Sequence, residues 1–571
     1  MTQRVFLRPI QAYFFEKLTM SFRNGFLLIV LVLIALPTWA AEDSAQKGYA
    51  DTGTVITTPL GQVRGYIRNG VLEFRGIPYA EPMGKENRWT PAEPAKPWQG
   101  VLDAMHFKPA CPQEARFNLT EESDKEDCLY LNVSLPIQHA QAQDQKRPVI
   151  VIIHGGALVG GSSSLYRLDR LATQADAVVV SFNYRLGVFG FLGHPGFDPA
   201  QNAFWGIQDQ RLALRWVQKN IAAFGGNPDN VTILGESAGA LSVCLHLSTP
   251  NESRGLFHKA IALSYTCIHP LQDVEQGNAF GLNVAATVGC DQPSSAIDCL
   301  RQLDTTQLVK AGGQQPISQP LPFTPLLGSP SLPVETSKAF QSGRFLRVPM
   351  ILGGTRDELR LYVAYEIQAG KTFTPENYQN ALQFFFGDHA NEIAKAYPLS
   401  AFSSAGAALG TVVSDFMPGF GVNHCLSIET ARLASKQAPV FFMDFADRTT
   451  PKRGILIPAD PDPKIEIGAA HSSVMSYFFP GYSNTAAMSA PDLSPDSEKS
   501  AKLMLQYIRQ FIRQGDPNGE ARPTWMPFGS NHETLRFDEK GAHMINPAIE
   551  YQCDFWRERF PDVFKKISSQ H

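Results

Sequence analysis

Six stretches of the chain are apolar almost without interruption: "VIVIIH" (149–154), "AVVVSFNY" (177–184), "VTILG" (231–235), "AIALSY" (260–265), "VPMILGG" (348–354) and "PVFFMDF" (439–445). A half-wet strand alternates apolar and polar residues, so a continuous run predicts a strand covered on both faces. Between these runs, "DQRLALRWVQKNIAAF" (209–224) and "SEKSAKLMLQYIRQFIRQG" (497–515) repeat their apolar positions at helical spacing. Strands alternating with helices predict an α/β fold, a large and mostly parallel central sheet with helices on both faces. The polar stretch at 137–145 reads as a connecting loop, and the Pro-, Gln- and Ser-rich stretch at 314–333 as a surface excursion. No low-complexity linker or repeat divides the chain, so one large domain is expected over 41–571.

The first forty residues have a different pattern. An apolar run, Gly25–Leu36, follows Lys17 and Arg23 and is closed by the small residues Thr38 and Ala40. A membrane span needs roughly 20 apolar residues, so this shorter run predicts a cleaved signal peptide over 1–40 and no lasting membrane insertion. Met20 alone would start a well-proportioned signal peptide. Export to a periplasm or to the medium follows. The formal net charge is −4, and residues 1–40 carry +3 of it, which leaves −7 on the remainder. An acidic chain without basic blocks argues against nucleic acid or an anionic membrane as partner.

Eight cysteines in an exported chain predict disulfides, and Cys111/Cys128 and Cys290/Cys299 stand close in sequence. Cys244, inside an apolar stretch, is expected as a buried free thiol. No Cys/His spacing matches a zinc site and no H-E-x-x-H occurs, so no metal is expected.

The candidate chemistry centres on "VTILGESAGA" (231–240), where Ser237 follows a strand and precedes a helix-compatible stretch. That is the context of a nucleophile elbow, in which Gly235 and Gly239 make room for a sharp turn. Alone, the motif also reads as an N-cap serine. A nucleophilic serine needs a base, and the base needs an acid to fix its tautomer, in the order Ser, acid, His. Asp357 and Glu358 follow the strand at 348–354, at the end where catalytic groups collect in open α/β sheets. Six histidines come later: His389, His424, His471, His532, His543 and His571. His471 is favoured, since Gly468, Ala469 and Ala470 let a loop carry it inward and "VMSYFF" can pack behind it. An oxyanion site is offered by His154-Gly155-Gly156-Ala157, where compact residues let main-chain amides approach a substrate. Neither G-K-[ST] nor G-x-G-x-x-G occurs at this turn, which weakens a nucleotide-loop reading of it.

Taken together with "EFRGIPYAEP" (73–82), "EDCLYLNV" (126–133), "FNYRLGVFGFLG" (182–193), "AAFGGNPDNVTILGESAGA" (222–240) and "CDFW" (553–556), the chain resembles the type-B carboxylesterases. These are α/β-hydrolases that include cholinesterases and bacterial para-nitrobenzyl esterases. The resemblance runs from residue 61 to residue 561. It implies Ser237 as nucleophile, Glu358 as acid, His471 as base, and the amides of Gly156, Ala157 and Ala238 as oxyanion donors. It also implies disulfides Cys111–Cys128, Cys290–Cys299 and Cys425–Cys553, with Cys244 and Cys267 unmatched, and no cofactor. The chain departs from the family at Ala157, where glycine is usual, at Leu359 after the acid, and at Leu263-Ser264-Tyr265 in place of Gln-Ser-Gly. The last is expected to reshape the pocket floor.

The loop between Cys111 and Cys128 has six acidic and two basic residues and one aromatic, Phe117. In lipases of the family this loop is an apolar lid, and in cholinesterases it carries a cation-binding tryptophan. A charged loop without tryptophan suits neither role. Soluble short- to medium-chain or aryl esters are the expected substrates. A lipase and a non-catalytic binding protein on the same fold are the alternatives.

Overall fold

The computed structural model describes residues 53–568 apart from 116–120, 138–145, 314–320, 322, 457–463 and 485–488. The expected signal peptide, the loop at 138–145, Phe117 and His571 lie outside the described residues. In chain order the strands are β1 (Val55–Thr58), β2 (Gly61–Arg64), β3 (Tyr66–Arg68), β4 (Val71–Pro78), β5 (Val101–Asp103), β6 (Tyr130–Pro136) and β7 (Arg147–Ile153). They continue as β8 (Val178–Phe182), β9 (Gly226–Glu236), β10 (Lys259–Leu263), β11 (Met350–Thr355), β12 (Val440–Phe445), β13 (Thr534–Asp538) and β14 (Gly541–Ile545).

Eleven of these form one sheet in the order β14-β13-β12-β11-β10-β9-β7-β8-β6-β4-β3, while β1, β2 and β5 form a small separate one. From β8 across to β13 every pair is parallel; antiparallel pairing is confined to the margins. All six expected strands are present as β7 to β12. In β7, β8, β10, β11 and β12 every residue is buried, which is why their sequences do not alternate. The marginal strands are shorter or carry polar residues, and period alone does not separate them from loops.

Both expected helices form. One runs Trp205–Asn220 and passes into a 3-10 turn, Ile221–Phe224. The other, Pro495–Gln514, opens where the Ser494 hydroxyl accepts the Ser497 N–H (3.1 Å) and stops at Gly515, φ +84°. A third helix, Ala238–Ser248, is buried on all sides and packs on β7, β9 and β10. No helix among the described residues is long and apolar enough to cross a membrane. The expected excursion at 314–333 is corrected in its second half. Phe323, Leu326 and Leu332 are buried, because the apolar residues of "FTPLLGSPSLP" dock on the core.

Four disulfides close: Cys111–Cys128, Cys244–Cys267, Cys290–Cys299 and Cys425–Cys553. They accord with folding in an oxidising compartment. The free thiol expected at Cys244 is thereby corrected. The helix from Ala238 and the segment after β10 bring the two Cα atoms to 5.0 Å, within bridging distance.

Candidate active site

The parallel register lines up the carboxyl ends of β7, β9, β10 and β11: Ile153 faces Gly235, Leu263 faces Glu236, and Leu263 also faces Gly353. Each candidate residue follows one of these ends or packs against it. Ser237 stands between β9 and the helix Ala238–Ser248 at φ +58°, ψ −127°, a conformation that costs a non-glycine residue about 1–3 kcal/mol. Surrounding packing imposes it. A Cβ on Gly235 would lie 2.2 Å from Gly239 O, and one on Gly239 would lie 2.1 Å from Ile153 O. The Ser237 N–H donates to Leu263 O (2.9 Å), tying the turn to β10. The Ser237 side chain makes no cap hydrogen bond to the helix, which removes the N-cap reading.

His471 Nδ1 lies 2.6 Å from Glu358 Oε2, and the other Glu358 oxygen accepts the Thr355 N–H at 2.7 Å. An ionised carboxylate can only accept, so in the neutral ring Nδ1 carries the proton and Nε2 is left as an acceptor. Nε2 is buried without a hydrogen-bond partner. His471 and Ser237 line one narrow cleft of about 40 Å³, together with Gly155, Gly156 and the rings of Tyr166, Tyr362, Tyr365 and Tyr482. No other described histidine lines this cleft. His424, for example, stacks on Tyr551 (4.3 Å) and bonds Arg356 O through Nε2 (3.1 Å).

Asp357, the second acidic candidate, has a different task. Arg448 Nε and Nη2 donate to its two oxygens at 2.8 and 3.1 Å, and the Ala469 N–H donates to Oδ2 at 3.0 Å. Its own N–H donates to Ala469 O (2.9 Å), and the His471 N–H donates to Glu358 O (3.1 Å). The loop bearing His471 is thus stitched to the loop bearing Glu358.

Electrostatics follow from burial. Burial alone would favour a neutral imidazole, but the carboxylates of Glu236 and Glu358 outweigh it and hold the His471 pKa above its ordinary value. Burial would likewise raise Glu358, yet His471, then His424 and the Thr355 amide, bring it below the usual carboxylate range. Glu236 goes the other way: burial raises it, with Glu358 adding to the shift and His471 opposing it.

Glu236 and Ser472 escape a motif-based reading. Glu236 Oε1 lies 3.4 Å from His471 Nε2 and accepts the Ser472 hydroxyl at 2.9 Å. In G-x-S-x-G the position of Glu236 is unspecified; the available signal was the cost of a carboxylate in a turn that must be buried.

The candidate oxyanion turn follows β7. Gly156 (φ +107°), Ala157 (φ +56°) and Leu158 (φ +60°) turn left-handed in succession, and a Cβ on Gly156 would meet Gly160 O at 2.2 Å. Ala238 opens the helix, whose first-turn amides have no partners within it. His154 is a support. Its ring stacks on Tyr184 at 4.3 Å, the Tyr184 hydroxyl donates to His154 O (2.8 Å), and burial pushes its pKa down to about 4. The acidic loop helps hold the turn, since Gln113 exchanges hydrogen bonds with Gly161 at 2.9 and 3.0 Å. Leu359 is buried, with its N–H bonded to Ser414 Oγ (2.9 Å). Ser264 and Tyr265, expected to reshape the floor, do not line the cleft. The Ser264 N–H pairs with Gly353 O (2.7 Å) and the Tyr265 ring lies against Gly421. Among the described residues no group of three or more His, Cys, Asp or Glu side chains could hold a metal ion.

Beside the cleft, sharing Tyr362 as a wall, opens a larger apolar chamber of about 410 Å³. Met417, Phe420 and Val413 line it, and Phe384, 78% exposed, stands on its lining too.

Residues 52–556 match the Carboxylesterase family. The chain is 37% identical over 361 residues to the para-nitrobenzyl esterase of Bacillus subtilis (strain 168), covering 61% of this chain and 71% of that protein. It is 31% identical over 558 residues to the cocaine esterase of Homo sapiens, covering 91% and 94% respectively. A solved PNB esterase structure superposes with a TM-score of 0.71 at 31% identity, over 88% of this chain and 99% of that one. The chain belongs to the carboxylesterase family and is a carboxylesterase on an α/β-hydrolase fold.

Proposed function

We propose that the protein hydrolyses carboxylic esters by two-step acyl transfer, with Ser237 as nucleophile, His471 as base and Glu358 as acid. The observation that carries this reading is the 2.6 Å contact of His471 with Glu358, which leaves Nε2 unpartnered in the cleft that Ser237 lines. Ser237 Oγ attacks the ester carbonyl while His471 Nε2 takes its proton, and the amides of Gly156, Ala157 and Ala238 receive the oxyanion. His471 then protonates the departing alcohol. Water, activated by the same imidazole, cleaves the acyl-enzyme and frees Ser237. Glu358 stays ionised throughout and stabilises the imidazolium.

Soluble short- to medium-chain or aryl esters are the proposed substrates. The four tyrosines of the cleft and the apolar chamber offer surface to an aromatic or aliphatic group, and the charged 111–128 loop offers no lid for a lipid surface. The name of the para-nitrobenzyl esterase supports esters that carry an aromatic group. We also propose that residues 1–40 are a signal peptide, that 41–571 form one domain, and that the mature protein is exported.

A para-nitrophenyl ester series from acetyl to palmitoyl, with wild type and Ser237→Ala, tests the reading. The expected outcome is a maximum at short to medium chains and a loss in kcat of about 10⁴ or more in the variant. Turnover retained by Ser237→Ala would refute the nucleophile. A rate that jumps above the solubility limit of long-chain esters would make the enzyme a lipase.

A further inference from the structure

Ser472 adopts φ +68°, a region glycine enters freely and serine enters at a cost. It is no loose surface turn: the residue is buried and lines the cleft directly after His471. Strain kept at such a place asks what it achieves. The turn aims Ser472 Oγ at Glu236 Oε1 (2.9 Å), and that same oxygen stands 3.4 Å from His471 Nε2. The Glu236 backbone is fixed at the end of β9 opposite Leu263, so its side chain decides how near the carboxylate comes.

We propose that Ser472 is a positioning residue that holds the Glu236 carboxylate at a stand-off from His471. The carboxylate is then close enough to stabilise the imidazolium and too far to occupy the nitrogen that must serve Ser237. This rests on the reading of His471 as the base. The distances separate the two effects. A hydrogen bond fades beyond about 3.2 Å, whereas Coulomb attraction falls only as 1/r, so at the stand-off about four fifths of the attraction of a 2.8 Å contact survives. The Ser472 backbone amide also acts on the Glu236 carboxylate, so loss of the hydroxyl loosens one of two ties; with that tie gone, Glu236 can close on Nε2 and hold His471 protonated, out of reach of the Ser237 proton. The charged groups facing this pair are Glu358 and the imidazole itself. Tyr166, Tyr362 and Tyr482 also face Glu236, and burial holds their hydroxyls above the ordinary range and neutral.

The test is kcat/KM against pH for wild type, Ser472→Ala and Ser472→Gly, each repeated with Glu236→Gln. Loss of the hydroxyl is expected to move the acid limb upward by at least about half a pH unit and to lower the rate at neutral pH several-fold. Ser472→Gly, freed of the backbone strain, should show the same shift while unfolding at a higher temperature than Ser472→Ala. With Glu236→Gln there is no carboxylate to release, and the Ser472 substitutions should leave the limb unmoved. An unmoved limb in both single variants, or an equal shift in the Glu236→Gln background, overturns the stand-off. Turnover by Ser237→Ala would instead overturn the catalytic reading on which it rests.

Discussion

At Glu358 two donors converge on one carboxylate, the Thr355 amide on Oε1 and His471 Nδ1 on Oε2. A neutral amide side chain has one acceptor oxygen, so Glu358→Gln must turn its NH₂ toward one of these donors. Either the imidazole loses its support or the loop after β11 loses an anchor. With the charge gone as well, the imidazolium keeps only the more distant carboxylate of Glu236. Glu358→Gln is expected to lower kcat by about 10³–10⁴ with KM little changed, by analogy with the acid of serine-protease triads, as steady-state kinetics on para-nitrophenyl butyrate would show. A kcat within a few-fold of wild type would remove Glu358 from the mechanism. Ser237 and His471 were picked as candidates from small residues and strand ends, and the structure places both on one cleft. Residue types alone left Asp357 and Glu358 open, and only the family resemblance favoured Glu358, because adjacent acidic residues look alike until Arg448 and Ala469 claim one of them.

Among elements, the helix Ala238–Ser248 is the one on which the site turns. It is buried on every side, so its apolar pattern has no preferred face, and the sequence shows a helix without showing what it touches. The Cys244–Cys267 bridge pins this helix to the segment after β10, whose last residue, Leu263, also accepts the Ser237 N–H. The bridge spans a separation of 23 residues, and closing a loop of that size restricts the unfolded chain by about 3 kcal/mol. Replacing both cysteines by alanine is therefore expected to lower the denaturant midpoint accordingly, and titration of buried thiols in the wild type should find none. An unchanged midpoint would mean that the bridge constrains little.

For the whole molecule, the proposed export is open to a direct test. The four disulfides and the apolar run at Gly25–Leu36 point the same way. N-terminal sequencing of protein recovered outside the cytoplasm is expected to begin at Ala41; a start at Met1 or Met20 would replace cleavage by retention. What the sequence determined by itself is what neighbouring residues control: the runs that become the doubly covered strands, the helices between them, and the glycines without which the Ser237 turn would collide with Ile153 and Gly239. What the tertiary structure alone decided depends on distances between remote segments. His471 meets a carboxylate 113 residues away, Ser472 one 236 residues away, and Cys244 finds Cys267 rather than standing free. Periodicity and steric fit act along the chain and can be read there, whereas a hydrogen bond or a bridge needs two loops brought within a few ångströms, and only the closed sheet sets that spacing.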